Sequence, residues 1–445
     1  MLYLNPDNAL EKNKGIHRMN KDRWKEYWEW LKPRLAFLKP WDMDEDVGDD
    51  LEVREMSSFG RQNSWGSRAE TPRERTRRRR YAIITLTALL AIVAGCFLYY
   101  NGHHSFTEYV VTSTTENLDI VGTEYTMLGN YIVKYSSDGV FCVNSHNEVR
   151  WSAAYSMQTP IIDMCGQTMV IAEQQGRQVY VVNEDGLLGS FTTSLSILKA
   201  HVSKQGVVVL ILEDSDVTWI EMYDVSGNEI AKIKTTLQDS GYPLDVAITP
   251  NASRMIVSYL GVSGRTLCSR IAFYDFSSAS DSDESHLTGT VDYTGQVFPE
   301  VYYADASTPV ALSDTGFVVF KNKKTPEEET SVVFEKEIVS SFHDSDTIGF
   351  IFNNEAADCR YEMELYHYNG KMAMRKEFDC NYTQVRMDRG EILLYDAKNC
   401  TVYTASGTRR FSSDYEKQVE YFAKIPGFRR YIVITNDSLD RIRIS

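Results

Sequence analysis

A strand-and-turn phrase recurs along the second part of the chain, and this recurrence limits the possible folds most. In each copy a short run of Val, Ile, Tyr or Phe ends in a polar turn, and a second strand follows. The turns are separated by 37 to 51 residues, about 43 on average, and fall at Asn144, Asn183, Asp224, Asp275, Lys321, His367 and Thr404. A β repeat of this length is typical of one four-stranded blade of a propeller.

The number of phrases also predicts how the ring closes. The next turn would fall near residue 445, so we expect the last blade to lack its outermost strand. Residues 108–113 read as a strand before the first full phrase and can supply it. The sequence therefore predicts an all-β, eight-bladed propeller over 106–445, closed by this N-terminal strand. Seven blades are the alternative, because the 51-residue interval and the eighth phrase are weak.

A long apolar segment precedes the predicted propeller. Residues 81–100 contain no charged residue and no Pro, Asn or Gln, and a helix of this length crosses the ~30 Å hydrocarbon core of a bilayer once. Seven arginines lie within 68–80, and the last four are Arg77, Arg78, Arg79 and Arg80. Positive charge beside a span stays cytoplasmic. We expect one transmembrane helix, with the N-terminus in the cytoplasm and the propeller outside it.

Two other interpretations of this segment were weighed. A buried core helix is rarely apolar on every face for twenty residues. The sequence Val-Ala-Gly-Cys at 93–96 resembles a bacterial lipobox, in which Cys96 would carry a lipid after cleavage. Against this, about 80 residues precede the apolar run, far more than in a signal peptide. Both the span and the lipid would hold the large domain on the outer side of a membrane.

The charge differs between the two ends of the chain. Residues 1–80 carry 18 basic and 15 acidic residues, and residues 101–445 carry 29 and 47. So acidic a domain is poorly suited to binding nucleic acid. Within 1–80 we expect an amphipathic helix over 21–39, for an inner membrane leaflet or a partner, and a disordered acidic and basic linker. The helix follows from the spacing of Trp24, Trp28, Leu31, Leu35 and Leu38.

Some segments resemble those of known propellers. Residues 248–258, Ile-Thr-Pro-Asn-Ala-Ser-Arg-Met-Ile-Val-Ser, resemble the Ser-Pro-Asp-Gly-Arg-x-Leu-x-Val-Ser segment of bacterial WD40-like propellers, although Ala252 and Ser253 depart from it. The Tyr-Asp turns are similar to those of quinoprotein-like propellers. The whole plan resembles an uncharacterised family of bacterial single-pass membrane proteins with an extracytoplasmic propeller. These motifs are structural, so the resemblance implies no functional residue.

One pair of cysteines is a disulfide candidate. Asn369-Gly370 is a strong two-residue hairpin turn. If the ladder is regular from the pair Tyr368/Lys371, Cys359 lies opposite Cys380 at a non-hydrogen-bonded position, where Cα atoms are ~4.5 Å apart. That distance is within disulfide range. Cys359 and Cys380 are therefore a disulfide candidate, and two free thiols in contact remain the other possibility.

Motifs that carry chemistry are absent from the sequence. It contains no phosphate-binding loop, HExxH or GxSxG, its eight histidines are scattered, and no CxxC occurs. We therefore predict no catalytic, cofactor-binding or metal-binding residues and no cofactor. The expected function is a membrane-anchored binding or scaffold module for an envelope protein or glycan. The alternative is a propeller enzyme, quinoprotein-like or a lyase or hydrolase, with its active site in the central channel.

Overall fold

The computed structural model describes residues 72–215, 217–263, 265–277, 286–321, 323, 326–354 and 358–445. The chain divides into two compact units, Met1–Arg80 and Tyr81–Ser445. The second unit contains the propeller. The helix predicted over 21–39 and the linker predicted to be disordered lie outside the described residues. The described chain begins with helix α1, Pro72–His103. In this part of the chain no helix is both long enough and apolar enough to cross a membrane.

The described strands form eight four-stranded antiparallel sheets, which confirms the predicted eight-bladed propeller over seven blades. From innermost to outermost, blades 1 to 4 are β2 Glu124–Leu128, β3 Tyr131–Ser136, β4 Gly139–Val143, β5 Val149–Ala154; β6 Pro160–Cys165, β7 Thr168–Glu173, β8 Gln178–Asn183, β9 Gly186–Thr192; β10 Ser196–Val202, β11 Val208–Asp214, β12 Val217–Tyr223, β13 Glu229–Thr235; and β14 Tyr242–Ile248, β15 Arg254–Ser263, β16 Thr266–Asp275, β17 Leu287–Thr294.

In the same order, blades 5 to 8 are β18 Glu300–Asp305, β19 Thr308–Ser313, β20 Gly316–Lys321, β21 Glu327–Val333; β22 Ile338–His343, β23 Thr347–Asn353, β24 Tyr361–His367, β25 Met372–Phe378; β26 Gln384–Asp388, β27 Glu391–Tyr395, β28 Asn399–Thr404, β29 Arg409–Asp414; and β30 Val419–Lys424, β31 Arg430–Thr435, β32 Ser438–Ile444, β1 Tyr109–Glu116. The N-terminal strand β1 is thus the outermost strand of blade 8.

The chain enters the ring across two blades. Strand β1 pairs antiparallel with β32, so that Tyr109 lies opposite Ile444. Just before β1, the amide of Phe106 donates a hydrogen bond to the carbonyl of Arg410 in β29, at 2.8 Å. Phe106 also bridges to Phe411 in parallel and is only 5 % exposed. Blades 7 and 8 therefore hold the same short segment.

The core lies between the blades. Eight clusters of buried apolar side chains are each shared by two neighbouring blades, and one of them joins Ile132 of blade 1 to Ile432 and Ile434 of blade 8. The second strand of a blade is covered on both faces, and in β27 all five residues are buried. A strand covered on both faces reads as a continuous apolar run, which is the pattern of Val207–Leu212 and its equivalents.

The recurring Asn or Asp at the turn closes the loop to the outermost strand. The side-chain oxygen of Asp224 accepts hydrogen bonds from the amides of Ser226 (2.8 Å) and Asn228 (2.9 Å). Asn144 accepts in the same way from His146 and Glu148. Such side chains mimic one turn of backbone hydrogen bonding. The turn residues that defined the repeat therefore have a local role and belong to the scaffold.

Candidate functional site

Four charged side chains meet on the innermost strands of blades 2 to 4. Asp163 lies on β6, Lys199 and His201 on β10, and Asp245 on β14. Residues two apart on a strand share one face, so Lys199 and His201 project together.

The carboxylates hold the histidine from both sides. His201 Nε2 lies 3.2 Å from Asp245 Oδ1, and His201 Nδ1 lies 3.7 Å from Asp163 Oδ1. The Nζ of Lys199 lies 3.0 Å from the same oxygen of Asp245, whose side chain is 2 % exposed. Each carboxylate also accepts a backbone hydrogen bond from the next blade, Asp163 from Val202 (2.8 Å) and Asp245 from Val301 (2.9 Å). The group thus joins blades 2 to 5.

The pKa values of His201 and Asp245 are shifted in opposite directions. Burial alone lowers the pKa of His201, but the charge of Asp163 and the hydrogen bonds to both aspartates outweigh it and raise this pKa to about 10. Burial raises the pKa of Asp245, and the hydrogen bond and charge of His201 bring it below its usual range. An imidazolium with both nitrogens engaged cannot accept a proton, as a general base must. The group acts as a clamp between blades.

Replacing His201 with Gln is expected to destabilise the propeller in a pH-dependent way. The folded pKa lies above the unfolded value of 6.5, so the charged histidine stabilises fully below pH 6.5, and this contribution is lost as the pH rises through about 10. We expect His201→Gln to lower the free energy of unfolding by about 2 kcal/mol at pH 6, and by much less at pH 9.5. Denaturant titrations of the full chain at pH 6, 7.5 and 9.5 measure this; a loss independent of pH would contradict the clamp. Lys199→Gln removes the other cation that contacts Asp245 and is the comparison variant.

A second site is a groove at the perimeter between blades 6 and 7. Its volume is about 870 Å³, and it runs from the end of blade 6 along β28 and β29. Charged side chains of both signs line it: Lys376, Glu377, Asp379, Arg409 and Asp414. Ser105, which lies two residues after the end of α1, also borders it. Below, we call this the blade 6–7 groove.

The two cysteines of the predicted disulfide lie in the blade 6–7 groove. Tyr361 lies opposite Phe378, a register that places Cys359 in line with Cys380 beyond the ends of both strands. The predicted regular ladder is wrong at the turn, because a bulge between Leu365 and Tyr366 shifts the pairing there. The structure holds both as free thiols, and burial raises the pKa of Cys380. The bond stays a prediction that thiol counts with and without reductant decide.

The clamp was missed in the sequence because its members are far apart in the chain. His201 and Asp245 are 44 residues apart. One signal was available: Asp163 and Asp245 each follow three uncharged residues at the start of an innermost strand. Among the described residues, no group of three or more His, Cys, Asp or Glu side chains is placed to hold a metal ion. Arg77–Arg80 lie in α1, and their predicted effect on topology stays a prediction.

Solved structures are similar to this chain at low sequence identity. BamB from Moraxella catarrhalis is similar at 13 % identity and a TM-score of 0.44, covering 76 % of this chain and all of its own. The WD40 domain of SCAP from fission yeast is similar at 10 % identity and a TM-score of 0.45, covering 76 % and 98 %. No curated protein matches the sequence. The model of the family of unknown function DUF5711 matches residues 102–444, the whole propeller, and the chain therefore belongs to that family.

Proposed function

We propose that this protein is a membrane-anchored binding module whose propeller, outside the cytoplasm, holds an extended segment of an envelope protein in the blade 6–7 groove. The observation that carries the proposal is the groove itself, an open space of about 870 Å³ with a mixed-charge lining. Its size is within the range of binding pockets. A clamp of fixed charges on the innermost strands favours binding over acid–base catalysis in the channel.

The edge of β25 favours a polypeptide as the occupant. Among the described strands, β25 pairs only with β24 and is the last strand of its sheet. Lys376, Glu377 and Phe378 border the groove in succession. Successive side chains of a strand point to opposite faces of the sheet. A groove bordered by three successive residues therefore runs along the edge of β25 and does not lie on one face of the sheet. An extended peptide can add to such an edge through backbone hydrogen bonds. The edge of β29 across the groove already carries Phe106.

The anchor is supported by the apolar segment 81–100. This segment lies in α1. Its large apolar side chains, where their exposure is described, are each 53 to 62 % exposed, among them Ile83, Leu86 and Ile92. A run of exposed apolar side chains favours an apolar surrounding, and this run, rather than a spanning helix in the described part of the chain, is the ground for the proposed anchor. Arg77–Arg80 precede the segment, and by the positive-inside rule this favours an N-terminus in the cytoplasm. Lipidation of Cys96 is the alternative form of the anchor.

Two membrane measurements test the anchor. The full chain should stay in the membrane pellet after alkaline carbonate extraction, and the propeller should be digested by protease added outside spheroplasts. Changing Arg77–Arg80 to Ser should protect a measurable fraction of the propeller from that protease. Release by carbonate would exclude an integral span, and an unchanged mass at Cys96 would exclude lipidation.

Site-specific photo-crosslinking tests the groove. A photoreactive residue at Lys376 of the full chain should give one discrete protein adduct in intact cells, and the same residue at Lys234, on the outermost strand of blade 3, should not. Glu377→Lys with Asp379→Lys should reduce the adduct at least fivefold. Glu229→Lys with Glu335→Lys, an exposed pair elsewhere, is the matched control. A carbohydrate adduct, equal adducts at both positions or no adduct would contradict a polypeptide in the groove.

A further inference from the structure

Basic residues are concentrated in the C-terminal part of the acidic domain's sequence. Residues 101–383 contain 18 basic and 39 acidic residues, whereas residues 384–445, in blades 7 and 8, contain 11 basic and 8 acidic residues. The surplus of cations lies in the two blades that hold the segment following α1. A local reversal of charge in an acidic protein points to an anionic partner at that place.

Arginines gather at the ends of the strands around the point where the chain enters the ring. Arg409 begins β29 and Arg430 begins β31, while Arg443 lies at the end of β32. Arg430 lies directly opposite Arg443, which lies opposite Val110 of β1 on its other side. Like charges in directly opposed positions destabilise a sheet. Arg409, Arg430 and Arg443 are exposed, and none forms an ion pair with a described carboxylate.

The same place is tied closely to the end of the apolar helix. The guanidinium of Arg429 lies 3.9 Å from the centre of the Phe106 ring, which is docked between blades 7 and 8. Only five residues separate Tyr100 from Phe106, so the link spans at most about 20 Å. Phe428, beside Arg429, is 51 % exposed. Burial, together with the charge of Arg410, lowers the pKa of Arg429, which reflects the crowding of positive charge here.

We propose that Arg409, Arg429, Arg430 and Arg443, with Phe428, bind anionic lipid headgroups of the membrane that holds 81–100. This inference rests on the proposed anchor. Guanidinium groups match the geometry of phosphate oxygens, and aromatic rings favour the membrane interface. Headgroup binding would relieve the opposed Arg430 and Arg443 and would fix the tilt of the ring over the bilayer. We call these five residues the headgroup cluster.

Hydrogen exchange of the full chain in nanodiscs tests the headgroup cluster. The amides of Ile425 and of residues 427–430 should exchange at least threefold more slowly in discs containing about a third phosphatidylglycerol than in phosphatidylcholine discs, and 0.5 M salt should remove the difference. Arg430→Ser with Arg443→Ser should abolish it. Arg177→Ser with Lys398→Ser, exposed cations in loops of the opposite ring face, should leave it unchanged. Equal exchange in both discs, or equal loss in both double variants, would overturn the proposal.

Further experiments distinguish a lipid headgroup from a free anion as the ligand, and they test the anchor separately from the headgroup cluster. If inorganic phosphate slows exchange of the same amides in phosphatidylcholine discs as strongly as phosphatidylglycerol does, the ligand is a free anion and the proposal fails. Carbonate extraction judges the anchor alone. If the chain is extracted, co-sedimentation with vesicles judges the headgroup cluster: binding to phosphatidylglycerol vesicles that falls at least fivefold in Arg430→Ser/Arg443→Ser supports it, and binding that does not fall overturns it.

Discussion

A chain that begins at Asn117 is expected to lose at least about 5 kcal/mol of stability relative to one that begins at Ser105. The shorter chain lacks β1, which pairs with β32 over its whole length, and leaves an open strand edge in blade 8. It also lacks Phe106, which fills the core between blades 7 and 8; loss of a buried Phe side chain alone costs about 3 to 5 kcal/mol. Thermal unfolding followed by circular dichroism should show a midpoint lower by at least about 10 °C.

Rescue in trans makes this test specific. A synthetic peptide of residues 105–117 should restore most of the lost midpoint when mixed with the shorter chain, because it can occupy the same edge. A peptide with Phe106→Ala should restore much less, since the ring that fills the core between blades 7 and 8 is then missing. Two truncated chains that unfold within about 2 °C of each other would show that β1 is dispensable for the ring.

The second large effect is expected at Glu391, at the start of β27. Its side chain is 4 % exposed and accepts from Arg410 (2.8 Å) and Lys424 (3.1 Å) as well as from the hydroxyl of Tyr431 (2.6 Å). Glu391→Gln keeps the shape but removes the charge that Arg410 and Lys424 both contact in a largely buried position. Breaking a buried ion pair from one side costs about 3 kcal/mol or more. We expect that loss in the free energy of unfolding from denaturant titration.

A matched variant separates the buried charge from charge in general. Glu420→Gln removes the same charge from an exposed position of neighbouring strand β30 and should change stability by less than about 0.5 kcal/mol. Methionine at both Arg410 and Lys424 in the Glu391→Gln background should recover part of the loss, because the two cations that contacted the carboxylate are then replaced by apolar side chains. Equal losses in Glu391→Gln and Glu420→Gln would contradict the role of the buried carboxylate.

The fold was predictable because each of its parts has a local cause. A second strand covered on both faces is apolar throughout, as in β27, and the turn that follows the third strand is closed by an Asn or Asp such as Asp224. The apolar strand and the polar turn recur along the chain, although Lys321, His367 and Thr404 replace the Asn or Asp in three blades, so their period counted the blades. The register of the blade 6 hairpin followed from the same reasoning over Tyr361–Leu365, but the bulge beside the turn did not, since the pattern alone does not mark where a ladder shifts.

The site was not predictable in the same way. The sequence treats His201 as one scattered histidine, and Glu391 as the polar start of an apolar strand. A charged residue leading a strand that is otherwise fully apolar was a usable signal, because such a residue must find partners when it is buried. Its partners Arg410, Lys424 and Tyr431 lie on other strands of two blades, and no local rule names them.

The sequence by itself determined a repeating all-β architecture and the number of its blades, because hydrophobic period and turn chemistry act over a few residues. It also supplied the membrane prediction at 81–100. Only the tertiary structure decided which charges meet between blades, as at His201 and Glu391, and where the groove and the headgroup cluster lie. Those contacts depend on the twist and packing angle of neighbouring sheets, which bring together side chains separated by about 40 residues or by most of the chain, as for Phe106 and Arg429.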